Sequence, residues 1–368
     1  MKLTPGSTRG TIPPMLNAAV LAAALVLAPP PDYSKSYFTG LNRPRAERVN
    51  IAPSKGPVIL IVVDALRPDR MSTYGFERKT TPHLDALADD GVTFTNFFTN
   101  GNWTRPSTAS LLSGVLPHRH GVERDTDRLA EDFQTLPEVL QRNGFKTGAV
   151  VGNGNAGSAF GLNQGFDYYA DTVRHWEGLP NAEQVVDLAI PYVREHKDEP
   201  FFLMLFLIDP HDPYHAPGEF ENMYVEDEGV RLIRTPHWEL GRYSAAENAR
   251  MKATYDGAVR YTDTQLGRFI KELKTLGVYD SSTVLVTSDH GEAFGEHGVY
   301  LHAHHLFDEL TRAPLIVRAP NMSVRGAYHP LLSQTVDLLP TIVKNAGGEL
   351  PSGVQGIDLF DQLRRPRT

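Results

Sequence analysis

The 368-residue chain is 41% hydrophobic, carries a formal net charge of −8 and contains no cysteine. That length can hold one large α/β domain or two smaller ones, each with a sizeable core. The acidic balance argues against a general nucleic-acid binder, which is usually basic. The missing cysteine excludes a disulfide framework, a thiolate zinc site and a cysteine nucleophile.

Lys2 and Arg9 precede an apolar run from Met15 to Ala28, which three prolines close. A short positive region ahead of about 7–15 apolar residues reads as an export signal. The run is short of the roughly 20 residues that a spanning helix needs. Pro29 after Ala28 is a poor cleavage context, so an uncleaved membrane anchor stays open. The expected organisation is a signal or anchor over 1–28, a linker over 29–55 and a catalytic domain over 56–368.

Val58–Val63 is a continuous apolar run, as in a strand buried on both faces. Leu84–Asp90 and Leu136–Asn143 carry helical spacing, and Lys146–Val151 and Phe201–Ile208 are again strand-like. Pro213–Pro236 has few regular signals and is expected as an excursion near the site. A long helix follows from Ala245 to Leu276, stopped by Gly277. Ser282–Thr287 and Leu315–Arg318 complete the buried strands. This alternation predicts an α/β fold with a mostly parallel central sheet and helices on both faces. The chain ends soon after LFDQL, so a C-terminal subdomain is expected to be minimal or missing.

Candidate chemistry lies at the ends of these elements. Asp64 closes the first strand, where a carboxylate is well placed to hold a cation. An N-cap aspartate would look the same. Thr104 opens TRPSTASLLSG with Pro106 in the first turn. A hydroxyl there sits among free amides that favour an anion. Asn153 and Asn155 follow the strand ending at Val151 and could donate to an oxyanion. His211, in a Pro-flanked loop after Ile208, can protonate a leaving oxygen. Asp289 and His290 follow another strand, and the imidazole favours zinc or manganese over calcium. Five histidines, at 290, 297, 302, 304 and 305, fall within sixteen residues. Packing alone does not account for that density, and a solvated loop is the alternative for some of them.

Seven segments in order resemble the sulfatase family of the alkaline phosphatase superfamily. They are VILIVVDALRPDRMSTYG, TTPHLDALADDGVTFTNFFT, TRPSTASLLSGVLPHRHGV, LIDPHDPY, TSDHGEAFGEHG, LFDELTRAPLIV and QTVDLLPTIVKNAGG. The resemblance implies one divalent metal (Mn or Zn, with Ca open) held by Asp64, Asp289 and His290, with Thr104 as a further ligand. It implies that His211 and His302 contact the ester. His302 stands where many sulfatases carry lysine, and His304 is the next candidate for that place.

The departures from the family bear on function. Family sulfatases read Cys (or Ser)-x-Pro-x-Arg, whose first residue becomes formylglycine. Here the frame is Thr104-Arg105-Pro106-Ser107-Thr108, and the usual Asp-Asp pair is Asp64-Ala65. The chain is similar in this to threonine-dependent phosphodiesterases and phosphoethanolamine transferases. A formylglycine hydrate expels sulfate by collapsing to the aldehyde, which a sulfated threonine cannot do. A phosphorylated threonine can be resolved by water attacking phosphorus. The expectation is a metal-dependent hydrolase using a Thr104 nucleophile on a phosphodiester or phosphonate ester. Sulfuric ester hydrolysis is the first alternative, and a decayed, membrane-anchored binding protein the second. The expected partner is a small-molecule, lipid or glycan ester outside the cytoplasm, with no nucleic acid and with the N-terminus as the route to a membrane.

Overall fold

The computed structural model describes residues 38, 40–171, 175, 180–238 and 243–365. The expected export segment, 1–28, lies outside these residues. No helix among those described is long and apolar enough to cross a membrane. The expected linker, 29–55, is described at Phe38 and from Gly40, and there it is not a free tether. Ala46 N donates to Tyr328 O at 2.8 Å and Val49 N to Leu363 O at 2.9 Å, while Val49 and Ile51 are buried. Its apolar residues at 46, 49 and 51 draw the segment onto the domain.

The described residues form ten strands: β1 (Val58–Val63), β2 (Val92–Phe98), β3 (Lys146–Val151), β4 (Tyr168–Asp171), β5 (Phe201–Leu207), β6 (Thr283–Thr287), β7 (Ala293–Phe294), β8 (Tyr300–Leu301), β9 (Arg312–Arg318) and β10 (Ala327–Gln334). Eight of them make one sheet ordered β10-β2-β9-β6-β1-β5-β3-β4, and β7 and β8 pair separately. Only β9 runs antiparallel within the large sheet, against both β2 and β6. β1 lies between β5 and β6 in register, Val58 opposite Phe202 on one side and Thr283 on the other.

The pleat sorts each strand between two cores. Ile59, Ile61 and Val63 of β1 face one cluster, together with α1 (Pro82–Asp89), α4 (Ala182–His196) and α5 (Ala245–Thr275). Val58, Leu60 and Val62 face the other, with α2 (Thr104–Ser113), α3 (Leu136–Arg142) and α6 (Leu338–Asn345). Apolar side chains on both faces explain why β1 and β5 read as unbroken hydrophobic runs.

Helix boundaries follow local chemistry. Thr135, Asn181 and Ser244 open α3, α4 and α5 with capping boxes. α1 begins at Pro82, two residues before the expected start, because a first-turn proline costs no hydrogen bond. α5 stops at Thr275, ahead of Gly277 with φ +70°. Residues 319–365 add β10 and two helices to the same sheet domain.

Candidate metal centre and active site

The carboxyl ends of the parallel strands converge on one point, as expected for an open α/β sheet. Asp64 follows β1, Asn153 follows β3, His211 and Asp212 follow β5, and Asp289 and His290 follow β6. α2 enters from the end of β2 with Thr104 as its first residue. Trp103 is its N-cap and gives no side-chain cap. Thr104 is thus a first-turn residue, and its hydroxyl turns to the strand ends rather than to its own helix.

Asp64, Asp289 and His290 are fully buried. Each offers a ligand atom within 4.8 Å of the others. His290 Nε2 lies 3.3 Å from Asp64 Oδ1 and 3.4 Å from Asp289 Oδ2. Its Nδ1 lies 2.8 Å from Gly291 O, which fixes the ring with Nε2 inward. Asp289 Oδ1 accepts from Ala65 N and His290 N. Ser107 Oγ donates to Asp289 O, tying α2 to the β6 end.

Apart from the contacts to His290 Nε2, two oxygens in this shell, Asp64 Oδ1 and Asp289 Oδ2, are buried without a hydrogen-bond partner among the described residues. Isolated buried carboxylate oxygens are costly unless a cation meets them. The electrostatics agree. Burial and the Asp64 charge push the Asp289 carboxyl up to about 7. Burial alone would also raise Asp64, but His211, His290 and Asn153 outweigh it and hold it at about 2. Burial opposes charge on His290, yet the two aspartates raise it to about 10. Two carboxylate oxygens and one imidazole nitrogen, converging in a dry pocket that demands positive charge, fit a divalent metal. Ala65 adds no ligand. It stands at φ +55° and its carbonyl accepts from Tyr255 Oη at 2.7 Å.

Thr104 Oγ1 lies 3.5 Å from His290 Nε2 and accepts from Asn153 Nδ2 at 3.2 Å. The same Nδ2 donates to Asp64 Oδ2 at 2.5 Å. Both amide protons of Asn153 are thereby used, so it does not face an oxyanion as the sequence suggested. It spans Asp64 and Thr104 and positions them. Asn155 is exposed, and its Oδ1 accepts from Arg105 Nη2 at 2.8 Å. It belongs to the clasp on Arg105, whose guanidinium packs 3.4 Å from the Phe160 ring centroid, and not to the ester site.

His302 stacks on His290 with ring centroids 4.3 Å apart, and His211 lies 4.7 Å from His302. His304 instead stacks on Trp238 at 4.0 Å and belongs to neither candidate ligand cluster. Sequence reasoning passed over Asp212 and Glu292. Asp212 Oδ1 sits 3.2 Å from His211 Nδ1, and the fully buried Glu292 places Oε1 3.1 Å from His302 Nδ1. Each adjoins a residue already singled out, in LIDPHDPY and DHGEAF, and that adjacency was the available signal.

Arg67, near the carboxyl end of β1, is committed elsewhere. It pairs with Asp69 at 2.8 Å and Glu296 at 2.9 Å and donates to Glu292 O.

The chain belongs to the sulfatase family: the family model described as Sulfatase matches residues 57–348. It is 27% identical over 343 residues to an ulvan-active sulfatase of Formosa agariphila, covering 85% of this chain and 66% of that one. It is 25% identical over 393 residues to an N-acetylglucosamine-6-O-sulfatase of Bacteroides thetaiotaomicron, covering 82% and 70%. The chain thus spans about two thirds of the length of these relatives. A phosphonate monoester hydrolase of Agrobacterium radiobacter superposes with a TM-score of 0.71 at 21% identity, over 85% of this chain and 78% of that one. A 2-O glycosaminoglycan sulfatase gives 0.69 at 22%, over 86% and 76%. These superpositions establish the fold.

Proposed function

We propose that the protein is an exported, metal-dependent ester hydrolase that uses Thr104 as nucleophile, and that its substrate is a phosphodiester or phosphonate ester. The observation carrying this reading is the place of the Thr104 hydroxyl. It lies at the start of a ten-residue helix, held by Asn153, 3.5 Å from the His290 Nε2 that the buried Asp64 and Asp289 carboxylates flank.

Asp64, Asp289, His290 and Thr104 would hold the metal, which supplies Lewis-acid charge that makes the threonine hydroxyl acidic at neutral pH. Asn153 keeps Oγ1 aimed and the Asp64 carboxylate fixed. The helix start favours negative charge near Oγ1. The Thr104 hydroxyl gives its proton to solvent, and attack forms the Thr104 Oγ1–P bond and breaks the bond from phosphorus to the leaving oxygen. His211 faces that step. Burial opposes its charge, but Asp64, Glu292 and Asp212 outweigh burial and hold its proton above the ordinary imidazole range. Its Nδ1 is taken up by Asp212, so Nε2 is the nitrogen that donates to the leaving oxygen. His302 closes the same face. Water then attacks phosphorus and frees Thr104.

Threonine favours phosphorus because a sulfated threonine has no aldehyde to collapse to. Hydrolysis of a sulfate ester is the second reading, favoured by the sulfatase names of the relatives. The substrate would be a small-molecule, lipid or glycan ester. Export rests on Lys2 and Arg9 ahead of the apolar run.

The test is turnover on a phosphodiester and an aryl sulfate, with intact mass after acid quench. Thr104→Ala should lose at least about 10³-fold while keeping its fold. Thr104→Ser should keep measurable diesterase activity. A phosphorylated chain should accumulate in the wild type and not in Thr104→Ala. Equal turnover in wild type and Thr104→Ala ends the proposal. Wild-type preference for the aryl sulfate overturns the choice of phosphorus. Bound metal without any turnover supports a binding protein instead.

A further inference from the structure

Glu292 is fully buried, and a carboxylate taken out of water is costly unless something meets it. Its Oε1 lies 3.1 Å from His302 Nδ1. The Tyr214 hydroxyl borders it on another side. That tyrosine belongs to an aromatic wall, with ring centroids 6.0 Å from Tyr255 and 5.4 Å from Phe294. The Glu292 backbone is held as well. Its N donates to Glu309 O at 3.1 Å, and Arg67 Nη1 donates to its O at 2.8 Å. Separate parts of the chain thus fix this carboxylate against one histidine.

A fixed carboxylate at one ring nitrogen sets the tautomer of an imidazole. Glu292 accepts at Nδ1, so the proton of the neutral ring sits there. A lone pair is left on Nε2, at the opposite side of the ring. The ring plane is set too. His302 lies on His290 with centroids 4.3 Å apart and planes at 29°, and His211 meets it edge-on at 4.7 Å and 63°. His290 Nε2 is in turn 3.5 Å from Thr104 Oγ1. One ring therefore separates His302 from the hydroxyl.

We infer that His302 Nε2 accepts the proton of the water that resolves phosphorylated Thr104, and that Glu292 is the positioning residue that keeps this lone pair aimed. The inference rests on the Thr104 reading above. In-line displacement brings water in from the side on which the first leaving oxygen departed, and that is the face His211 and His302 close. The water oxygen forms its bond to phosphorus as the bond from phosphorus to Thr104 Oγ1 breaks. One water proton passes to His302 Nε2 and on to solvent, and Thr104 Oγ1 takes a proton from solvent. His211 serves the departing oxygen and His302 the entering one, so the two histidines divide the two steps.

The test separates those steps. The purified, metal-loaded full chain is mixed rapidly with bis(p-nitrophenyl) phosphate. Nitrophenol release is followed through the first turnover and into the steady state, with intact mass after acid quench. Glu292→Gln is nearly isosteric, but its amide can donate to Nδ1, which moves the ring proton to Nε2 and removes the lone pair. It should release the first nitrophenol within about threefold of the wild-type rate, while steady-state turnover falls by about 10²-fold, the scale of a lost general base. The phosphorylated fraction should rise above that of wild type. His302→Gln should behave alike, and it carries the test if circular dichroism shows Glu292→Gln unfolded. A first turnover that falls as far as the steady state overturns the inference, as does wild-type steady-state turnover in a folded Glu292→Gln. Phosphorylated chain that builds up in His211→Gln and not in His302→Gln also overturns it. Failure of the Thr104 reading looks different: no phosphorylated chain forms in any of these proteins, wild type included, and that result removes both.

Discussion

Replacing Asn153 by alanine separates positioning from direct contact with substrate. Asn153 is 4% exposed and its Nδ2 donates to Asp64 Oδ2 and to Thr104 Oγ1. The first bond is to a charged acceptor, about 1.5–3 kcal/mol, and the second is neutral, about 1 kcal/mol. Together they hold Thr104, the proposed nucleophile, against Asp64, the proposed metal ligand, by about 2.5–4 kcal/mol, or roughly 10²- to 10³-fold at tenfold per 1.4 kcal/mol. We expect Asn153→Ala to lower kcat/KM on a phosphodiester by about 10²-fold. KM should move little, because no donor of Asn153 is left for the substrate. Metal affinity should weaken by roughly 10-fold, since Asp64 loses the bond that orients it. Asn153→Asp should be worse than Asn153→Ala, because it sets a like charge against Asp64 where water is absent. The assay is steady-state kinetics at saturating metal, with metal affinity from competition with a chromophoric chelator. A kcat/KM for Asn153→Ala within threefold of wild type, or a loss expressed wholly in KM, refutes the positioning role.

Glu296 gives a pH-dependent stability. Burial would raise its pKa, but Arg67 and Lys252 outweigh burial and hold it at about 2. Its contribution is therefore present above the ordinary glutamate range, near pH 4.5, and is lost as pH falls toward 2. Glu296→Gln should lower the denaturant midpoint at pH 7 by the equivalent of about 1–2 kcal/mol and by much less near pH 2.5, after discounting for partial exposure. Gly257→Ala should destabilise although alanine is the better helix former. A Cβ there would stand 2.0 Å from Phe220 O, and the strain outweighs the roughly 1 kcal/mol gain in propensity. A higher unfolding midpoint in that variant contradicts the packing described. Fractionation of cells expressing the full chain checks export, and the whole of the protein in the soluble cytoplasm rejects it.

The sheet centre was legible because its strands are buried on both faces. β1, β5 and β6 are short apolar runs bounded by turn residues, a pattern no amphipathic helix shares. The edges were not. β2 reads Val-Thr-Phe-Thr-Asn-Phe-Phe and β10 Ala-Tyr-His-Pro-Leu-Leu-Ser-Gln. Pro330 lies inside the latter, where the register with β2 shifts between His329 and Leu332. An edge strand tolerates that interruption, whereas a sequence pattern penalises it. α4 was missed for a related reason. Pro191 sits inside it, although Asn181 and Gln184 form a clear capping box at its start. Pro314 hid the first half of β9 in the same way.

Legibility of the site follows a different rule. Residues at strand ends could be found because the fold class alone says where ligands bind. Asp64, His211, Asp289 and His290 come from that argument, and Thr104 from the helix that answers them. What local sequence could not carry was the partition of roles among neighbours. Asn153 and Asn155 are two residues apart and equally polar, yet one bridges Asp64 and Thr104 and the other clasps Arg105. His302 and His304 are also two residues apart, and only His302 enters the cluster, since His304 stacks on Trp238. Neither pair can be told apart by residue type or by its local pattern. The difference arises from which distant element each side chain meets, here α2 for Asn153 and the Asp289–Glu292 turn for His302. Asp212 and Glu292 show the converse. Their chemistry becomes visible only when three strand ends close together and leave four carboxylates facing three imidazoles. The convergence of these groups in one pocket is a property of the assembled sheet, and no single segment of the chain announces it.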